Sequence, residues 1–105
     1  MQEIIQKLRK FADERDWQQF HTPENLAKSI MIEAAELLEH FQWDGNYDPE
    51  EVKKELADVM NYCVMLADRL GIDPIQNMAE KIVENEAKYP VEKAKGNSKK
   101  YTEYD

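Results

Sequence analysis

IMIEAAELLEHFQW at positions 30–43 and EVKKELADVMNYCVM at positions 51–65 decide the fold of this chain. In both stretches apolar residues recur every three or four positions, the period of a helix rather than of a strand. At about 100° per residue, Leu26, Ile30, Ala34, Leu37 and Phe41 form one stripe, and Val52, Leu56, Val59, Met60, Cys63 and Ala67 form another. These two stripes are the expected core. The intervening Asp44-Gly45-Asn46-Tyr47 has turn composition, so the two helices are expected to fold back antiparallel. Met31, Ile32, Ala35 and Leu38 lie on other sides of the first helix, and Val64 and Met65 on other sides of the second. One small bundle cannot cover them all, and a homo-oligomer is the expected outcome.

Working outward, proline and acidic caps mark where helices begin. Thr22-Pro23, Asp48-Pro49 and Asp73-Pro74 each place a capping side chain before a proline at the first helical position. Glu51 and Gln76 stand three residues after the second and third caps, which predicts capping boxes. Gly45 and Gly71 follow periodic segments, where a left-handed C-terminal residue is needed, and Pro90 should stop the last helix. The reading is all-α: four helices over 2–16, 23–43, 49–70 and 74–88 in a four-helix bundle, with a polar tail over 91–105. A chain of 105 residues has room for one domain spanning its whole length.

Composition excludes several classes of function. A net charge of −8 and a pI near 4.8 argue against nucleic acid or an anionic membrane as a partner, since phosphate neutralisation needs clustered Lys and Arg. The single cysteine, Cys63, cannot form an intramolecular disulfide or build a zinc motif and is expected to be buried as a small apolar side chain. The start, MQEIIQKLRK, lacks the apolar core of a signal peptide, and no apolar run approaches a membrane span, so the expected location is cytoplasmic.

Residues three apart are neighbours on a helix surface, so Glu33 with Glu36 and Glu55 with Asp58 form two acidic pairs. A turn centred between Gly45 and Asn46 sets Glu36 opposite Glu55 and Glu33 opposite Asp58, bringing four carboxylates together across one helix pair. Crowded like charges repel unless protons or cations intervene. Hard oxygen ligands favour Mg²⁺, Mn²⁺ or Ca²⁺, and a Mg²⁺ held by few carboxylates keeps positions for phosphate oxygens. A carboxylate di-iron site would need Glu-x-x-His on two helices. Here His40 follows Glu36 by four residues and His21 lies in a turn, so that signature is absent.

Glu-x-x-Glu at 33–36 followed after a turn by Glu-x-x-Asp at 55–58 resembles the all-alpha NTP pyrophosphatases of the MazG-like superfamily. ERDWQQFHTPENLAKSI at 14–30, EAAELLEHFQW at 33–43, KKELADVMNY at 53–62 and KKYTEY at 99–104 are similar to its dCTP pyrophosphatase branch. The resemblance implies a helical bundle assembling as a dimer or tetramer. It also implies Mg²⁺-dependent hydrolysis of (deoxy)nucleoside triphosphates, with dCTP or modified dNTPs as candidates, to monophosphate and pyrophosphate. Glu33, Glu36, Glu55 and Asp58 would then be metal ligands and catalytic groups, with Mg²⁺ as the cofactor and Mn²⁺ an alternative. Trp17 and Trp43 match aromatic positions enclosing the base, Tyr62 a position near the nucleotide, and Lys81 and Asn85 substrate-contacting positions on the last helix.

Other readings stay open at the level of sequence. Trp17 and Trp43 could be core aromatics at helix ends, and Lys81 with Asn85 an exposed pair sharing a helix face. His21 could donate a hydrogen bond to substrate or lie in water. Lys93, Lys95, Lys99 and Lys100 form the basic cluster of an acidic chain, suited either to closing over a triphosphate or to a soluble flexible end. One departure from the resembled branch is Leu8, where some dCTP-directed members carry a histidine, which bears on base preference. The alternative to an enzyme is a non-catalytic acidic helical bundle with an interaction or regulatory role.

Overall fold

The computed structural model describes residues 1–43 and 45–104. It is all-helical, with no strand among the described residues, and divides into two compact units, Met1–Ile72 and Asp73–Asp105. The first unit holds α1 (Gln2–Glu14), a 3₁₀ turn (Gln18–Phe20), α2 (Pro23–Glu39) and α3 (Pro49–Arg69). The second holds α4 (Pro74–Lys88), the one-turn helix α5 (Val91–Ala94) and a 3₁₀ turn (Tyr101–Glu103). Among the described residues no helix is long and apolar enough to cross a membrane.

The helix starts follow the expected chemistry. Thr22 Oγ1 accepts from Asn25 N at 3.2 Å, Asp48 Oδ1 from Glu50 N at 3.0 Å, and Asp73 Oδ1 from Ile75 N and Gln76 N at 3.0 and 3.1 Å. Each cap is followed by proline in the first turn of its helix. The returning half of the two capping boxes is replaced by pairing within the helix. Gln76 Nε2 donates to Glu80 at 2.9 Å, and Glu51 accepts from Lys54 at 3.4 Å.

Helix ends fall short of the expected boundaries for a definable reason. α1 stops at Glu14 because Asp16 adopts φ 54°, so that Asp16 N donates to Asp13 O and Trp17 N to Ala12 O, the two bonds of a Schellman ending. Asp is among the few non-glycine residues that tolerate this region. Gly71, at φ 72°, closes α3 with the same pair of bonds, Gly71 N to Asp68 O and Ile72 N to Ala67 O. α2 ends at Glu39 rather than 43, since His40, Phe41 and Gln42 donate to carbonyls three residues back. In the turn that follows, Asp44 lies outside the described residues.

In the first unit α2 and α3 pack as the principal helix pair, and α1 lies against α3 over a shorter stretch. Leu26 is 1% exposed and, with Ile5 and Ala12, is buried. The expected α2 stripe points inward except for Phe41, which is exposed and meets the Tyr47 ring at a tilt, centres 4.8 Å apart. The expected α3 stripe is corrected: Leu56, Met60 and Cys63 are exposed, while Val52, Glu55, Val59 and Tyr62 are the more enclosed side. The helix is rotated from the purely apolar optimum, which leaves Met60 at 58% and, on α2, Met31 at 71% and Leu38 at 69% exposed.

In the second unit the tail is ordered rather than a purely polar end. Tyr89 meets the rings of Tyr101 and Tyr104 edge-on at 6.1 and 5.9 Å, and Lys88 Nζ stands 5.1 Å from the Tyr101 ring centre. Pro90 ends α4 as expected and also begins α5.

Leu26→Ala empties the best-buried position of the first unit and should lower its unfolding free energy by about 2–5 kcal/mol. Urea denaturation followed by circular dichroism measures this, and a loss below about 1 kcal/mol would show that the site is not core.

Candidate metal centre and adjoining cavity

The inward side of the α2–α3 pair is partly acidic. Glu33 and Glu36 sit one turn apart on α2, and Glu55 and Asp58 one turn apart on α3. One carboxylate oxygen each from Glu33, Glu55 and Asp58 lie within 4.8 Å of one another. Glu36 adjoins this trio through a side-chain hydrogen bond with Glu33 rather than as a fourth member. Glu33, Glu36 and Glu55 are half-buried and Asp58 is exposed.

The electrostatic result is severe for Glu33. Burial, the hydrogen bond and charge of Glu36, and then the charges of Asp58 and Glu55 push its carboxyl from 4.5 up to about 7. Glu33 Oε2 and Glu55 Oε2 are shut off from solvent with no hydrogen-bond partner. Buried carboxylate oxygens ordinarily accept at least one bond, so these orphans call for a cation or a proton. The oxygen-only donor set suits a hard divalent ion, and the spread of the three oxygens is close to that of one coordination shell. The trio therefore fits such a metal on its own geometry.

Sequence reasoning used His40 only to exclude another metal site. In the structure its Nε2 stands 3.8 Å from Glu55 Oε1 at the end of α2. The four-residue step from Glu36 to His40 was the available signal, since it places both on one face. Tyr62, one turn beyond Asp58 on α3, is half-buried on the same side.

The other expected substrate positions are distributed over both units. The Schellman turn at Asp16 delivers Trp17 against Phe11, ring centres 5.6 Å apart, and His21, 6.4 Å apart. Trp17 is 41% exposed, whereas Trp43, in the turn after α2, is 87% exposed. Neither is a core residue of this chain. Lys81 and Asn85 lie on α4 in the second unit, where Lys81 Nζ pairs with Glu84 at 3.1 Å.

A cavity of about 300 Å³ opens in the first unit where α1, the 3₁₀ turn, α2 and α3 converge. Its floor is apolar, from Ile5, Leu8, Leu26, Val64 and Met65, and its polar rim includes Gln18, His21, Arg9 and Asp68. The lining is half apolar and half polar or charged, an amphipathic cleft that can take a planar ring against its floor and hydrogen bonds at its rim. No local motif announced it, because its walls come from residues as far apart in sequence as Ile5 and Arg69.

The sequence profile of the MazG-like family matches residues 28–104. The chain is 40% identical over 104 residues to dCTP pyrophosphatase 1 of Homo sapiens and 38% identical over 104 residues to that of Mus musculus. In each case the match takes in 90% of this chain and 61% of the relative, so the chain spans about three-fifths of those proteins. The crystal structure of a pyrophosphatase from Archaeoglobus fulgidus superposes with a TM-score of 0.78 at 46% identity, covering 86% of this chain and 92% of that one. With a profile extending over most of its length and a solved relative that it spans almost completely, the chain belongs to the MazG-like family.

Proposed function

We propose that this chain is a divalent-cation-dependent nucleoside triphosphate pyrophosphohydrolase, cleaving a (deoxy)nucleoside triphosphate to monophosphate and pyrophosphate. The observation that carries this reading is the trio Glu33, Glu55 and Asp58, with two buried carboxylate oxygens lacking partners. Glu33, Glu55 and Asp58, with Glu36 beside them, would hold Mg²⁺, or Mn²⁺ in its place. When bound, such an ion neutralises phosphate charge and lowers the pKa of a bound water. In the reaction a water oxygen bonds to the α-phosphorus, the bond from that phosphorus to the α,β-bridging oxygen breaks, and pyrophosphate leaves. A carboxylate of the cluster takes the proton of the attacking water.

Support for the substrate class comes from the relatives named dCTP pyrophosphatase 1, with dCTP or a modified dNTP the first candidate. The base is assigned to the cavity rimmed by Gln18 and His21, with Trp17 packed against His21; Trp43, 87% exposed beyond the far end of α2, keeps a base-enclosing role only as the family resemblance implies it. Tyr62 lies on α3 between the carboxylates and the cavity-lining Val64 and Met65, and for Lys81 and Asn85 on α4 the substrate-contacting role rests on the family resemblance alone. Leu8 in the cavity floor offers no hydrogen bond, so base preference must arise from other rim groups. The exposed Met31, Leu38 and Met60 support a homo-oligomer, dimer or tetramer, as the working form. The net charge of −8 supports action on free nucleotides without a nucleic-acid partner, and the location proposed is cytoplasmic.

Glu36→Gln and Asp58→Asn should each lower kcat by about two or more orders of magnitude and shrink the rise in melting temperature on adding Mg²⁺. Turnover of a triphosphate panel, with pyrophosphate and monophosphate both quantified, together with melting curves, tests this. Wild-type kinetics and an intact Mg²⁺ response in both variants would discard the carboxylate site.

The stability of the metal-free protein carries its own signature. Glu33 holds a proton in the folded chain up to about pH 7 that the unfolded chain releases near 4.5. Its stabilising contribution is therefore complete below about 4.5 and is lost as pH rises through about 7. Glu33→Gln should match wild type near pH 4 in chelator and exceed it in melting temperature above pH 7. A constant difference across that range would show that Glu33 is not shielded.

Trp17→Ala and Trp43→Ala should raise KM more than they lower kcat, because stacking persists through the reaction and contributes about 1–3 kcal/mol per base. Unchanged KM in a folded double variant would remove both rings from the site.

A further inference from the structure

One ion pair in the first unit has no local explanation. Arg9 Nε donates to Asp68 Oδ2 at 2.9 Å and Arg9 Nη2 to Asp68 Oδ1 at 2.6 Å, a two-pronged bridge between residues 59 apart in sequence. Every other ion pair among the described residues joins neighbours on one helix, apart from the contact of His40 with Glu55. Both partners line the cavity between α1 and α3. The next residue, Arg69, donates from Nη1 to Gln18 Oε1 at 3.4 Å, so the last turn of α3 also reaches the segment that carries Trp17 and His21.

We propose that Arg9 and Asp68 are a positioning pair that sets the width of the base-binding cavity by fastening α1 to the last turn of α3. This rests on the nucleotide reading above and deepens it, assigning control of base binding to two residues outside the carboxylate cluster.

Three observations support the assignment. First, Arg9 is half exposed, and exposed bridges contribute little to folding, so stability alone is a weak reason for so constrained a geometry. Second, α1 meets α3 over a short stretch; the buried Ile5 and Ala12 anchor α1 through non-directional apolar contact, whereas a bidentate fork fixes orientation as well as separation. Third, the bond from Arg9 holds the Asp68 carboxyl below the usual range, which keeps the bridge intact at any pH near neutrality. Leu8, next to Arg9 on α1, lines the same cavity. The moiety affected is the planar heterocycle of the nucleotide, not its phosphates.

The test compares wild type, Arg9→Gln, Asp68→Asn and the double variant. Each is measured for KM and kcat on the triphosphate turned over best, and for inhibition by inorganic tripolyphosphate, which has no base. Each single change should raise KM about tenfold with kcat within about twofold. The inhibition constant of tripolyphosphate should stay at its wild-type value. The double variant should raise KM no further than the worse single, since both act through one bridge. Unchanged KM, additive effects, or parallel loss of nucleotide and tripolyphosphate binding would overturn the proposal. Binding of the matching unphosphorylated nucleoside, followed by ligand-observed NMR, separates the two readings. Nucleoside binding that Asp68→Asn weakens, in a protein without turnover, overturns the hydrolase and keeps the pair. Nucleoside binding that Asp68→Asn leaves intact overturns the pair whatever the turnover, as does a wild-type protein that binds no nucleoside.

Discussion

Carboxylates enclosed between α2 and α3 are the constraint on which the rest of this structure depends. A charge removed from water costs free energy unless it is paired, and here like charges face one another across a helix pair. The metal-free chain meets that cost by holding a proton on Glu33, bridged to Glu36, while oxygens of Glu33 and Glu55 remain without partners. Such an arrangement is poor design for a scaffold. It is what a cation site looks like when built from the backbone outward, with ligands on two rigid helices rather than on loops.

The same constraint explains the orientation of α3. With Glu55 and Tyr62 on the enclosed side, the helix cannot also bury Leu56, Met60 and Cys63 against α2, and those side chains are exposed. A purely apolar reading places that stripe in the core of a single chain. The observed rotation gives the enclosed side to Glu55 and Tyr62 and leaves an apolar side exposed, which is the basis of the proposed homo-oligomer. The two properties are linked: burial is traded from one face of α3 to the other.

A second device sits at the end of α1. Asp16 in the left-handed region turns the chain so that Trp17, Gln18 and His21 follow within one short segment. The cavity beside them lies where α1, anchored by the buried Ile5 and Ala12, is also joined to α3 by the directional bridge of Arg9 and Asp68. A cavity walled in this way depends on bonds with defined direction, whereas a wholly apolar interface would tend to close and fill the space.

What the amino-acid sequence determined by itself is everything carried by local chemistry. Caps at Thr22, Asp48 and Asp73, prolines in the first turns, the left-handed Gly71 and the helical period of the long segments were legible because each depends on residues within about one turn of each other. The convergence of Glu33, Glu55 and Asp58 was legible too, since an antiparallel hairpin with a short turn leaves little freedom of register. The early end of α1 was not, because Asp16 takes a backbone conformation that sequence assigns first to glycine. Only tertiary structure decided which side of α3 faces α2, because rotation balances apolar burial against charge, and Leu56, Met60 and Cys63 cannot face inward while Glu55, Val59 and Tyr62 do. The Arg9–Asp68 bridge was equally out of reach. Nothing local selects that aspartate among the 22 acidic residues of the chain; the choice is made only when α1 docks on α3 and brings one guanidinium within reach of one carboxylate.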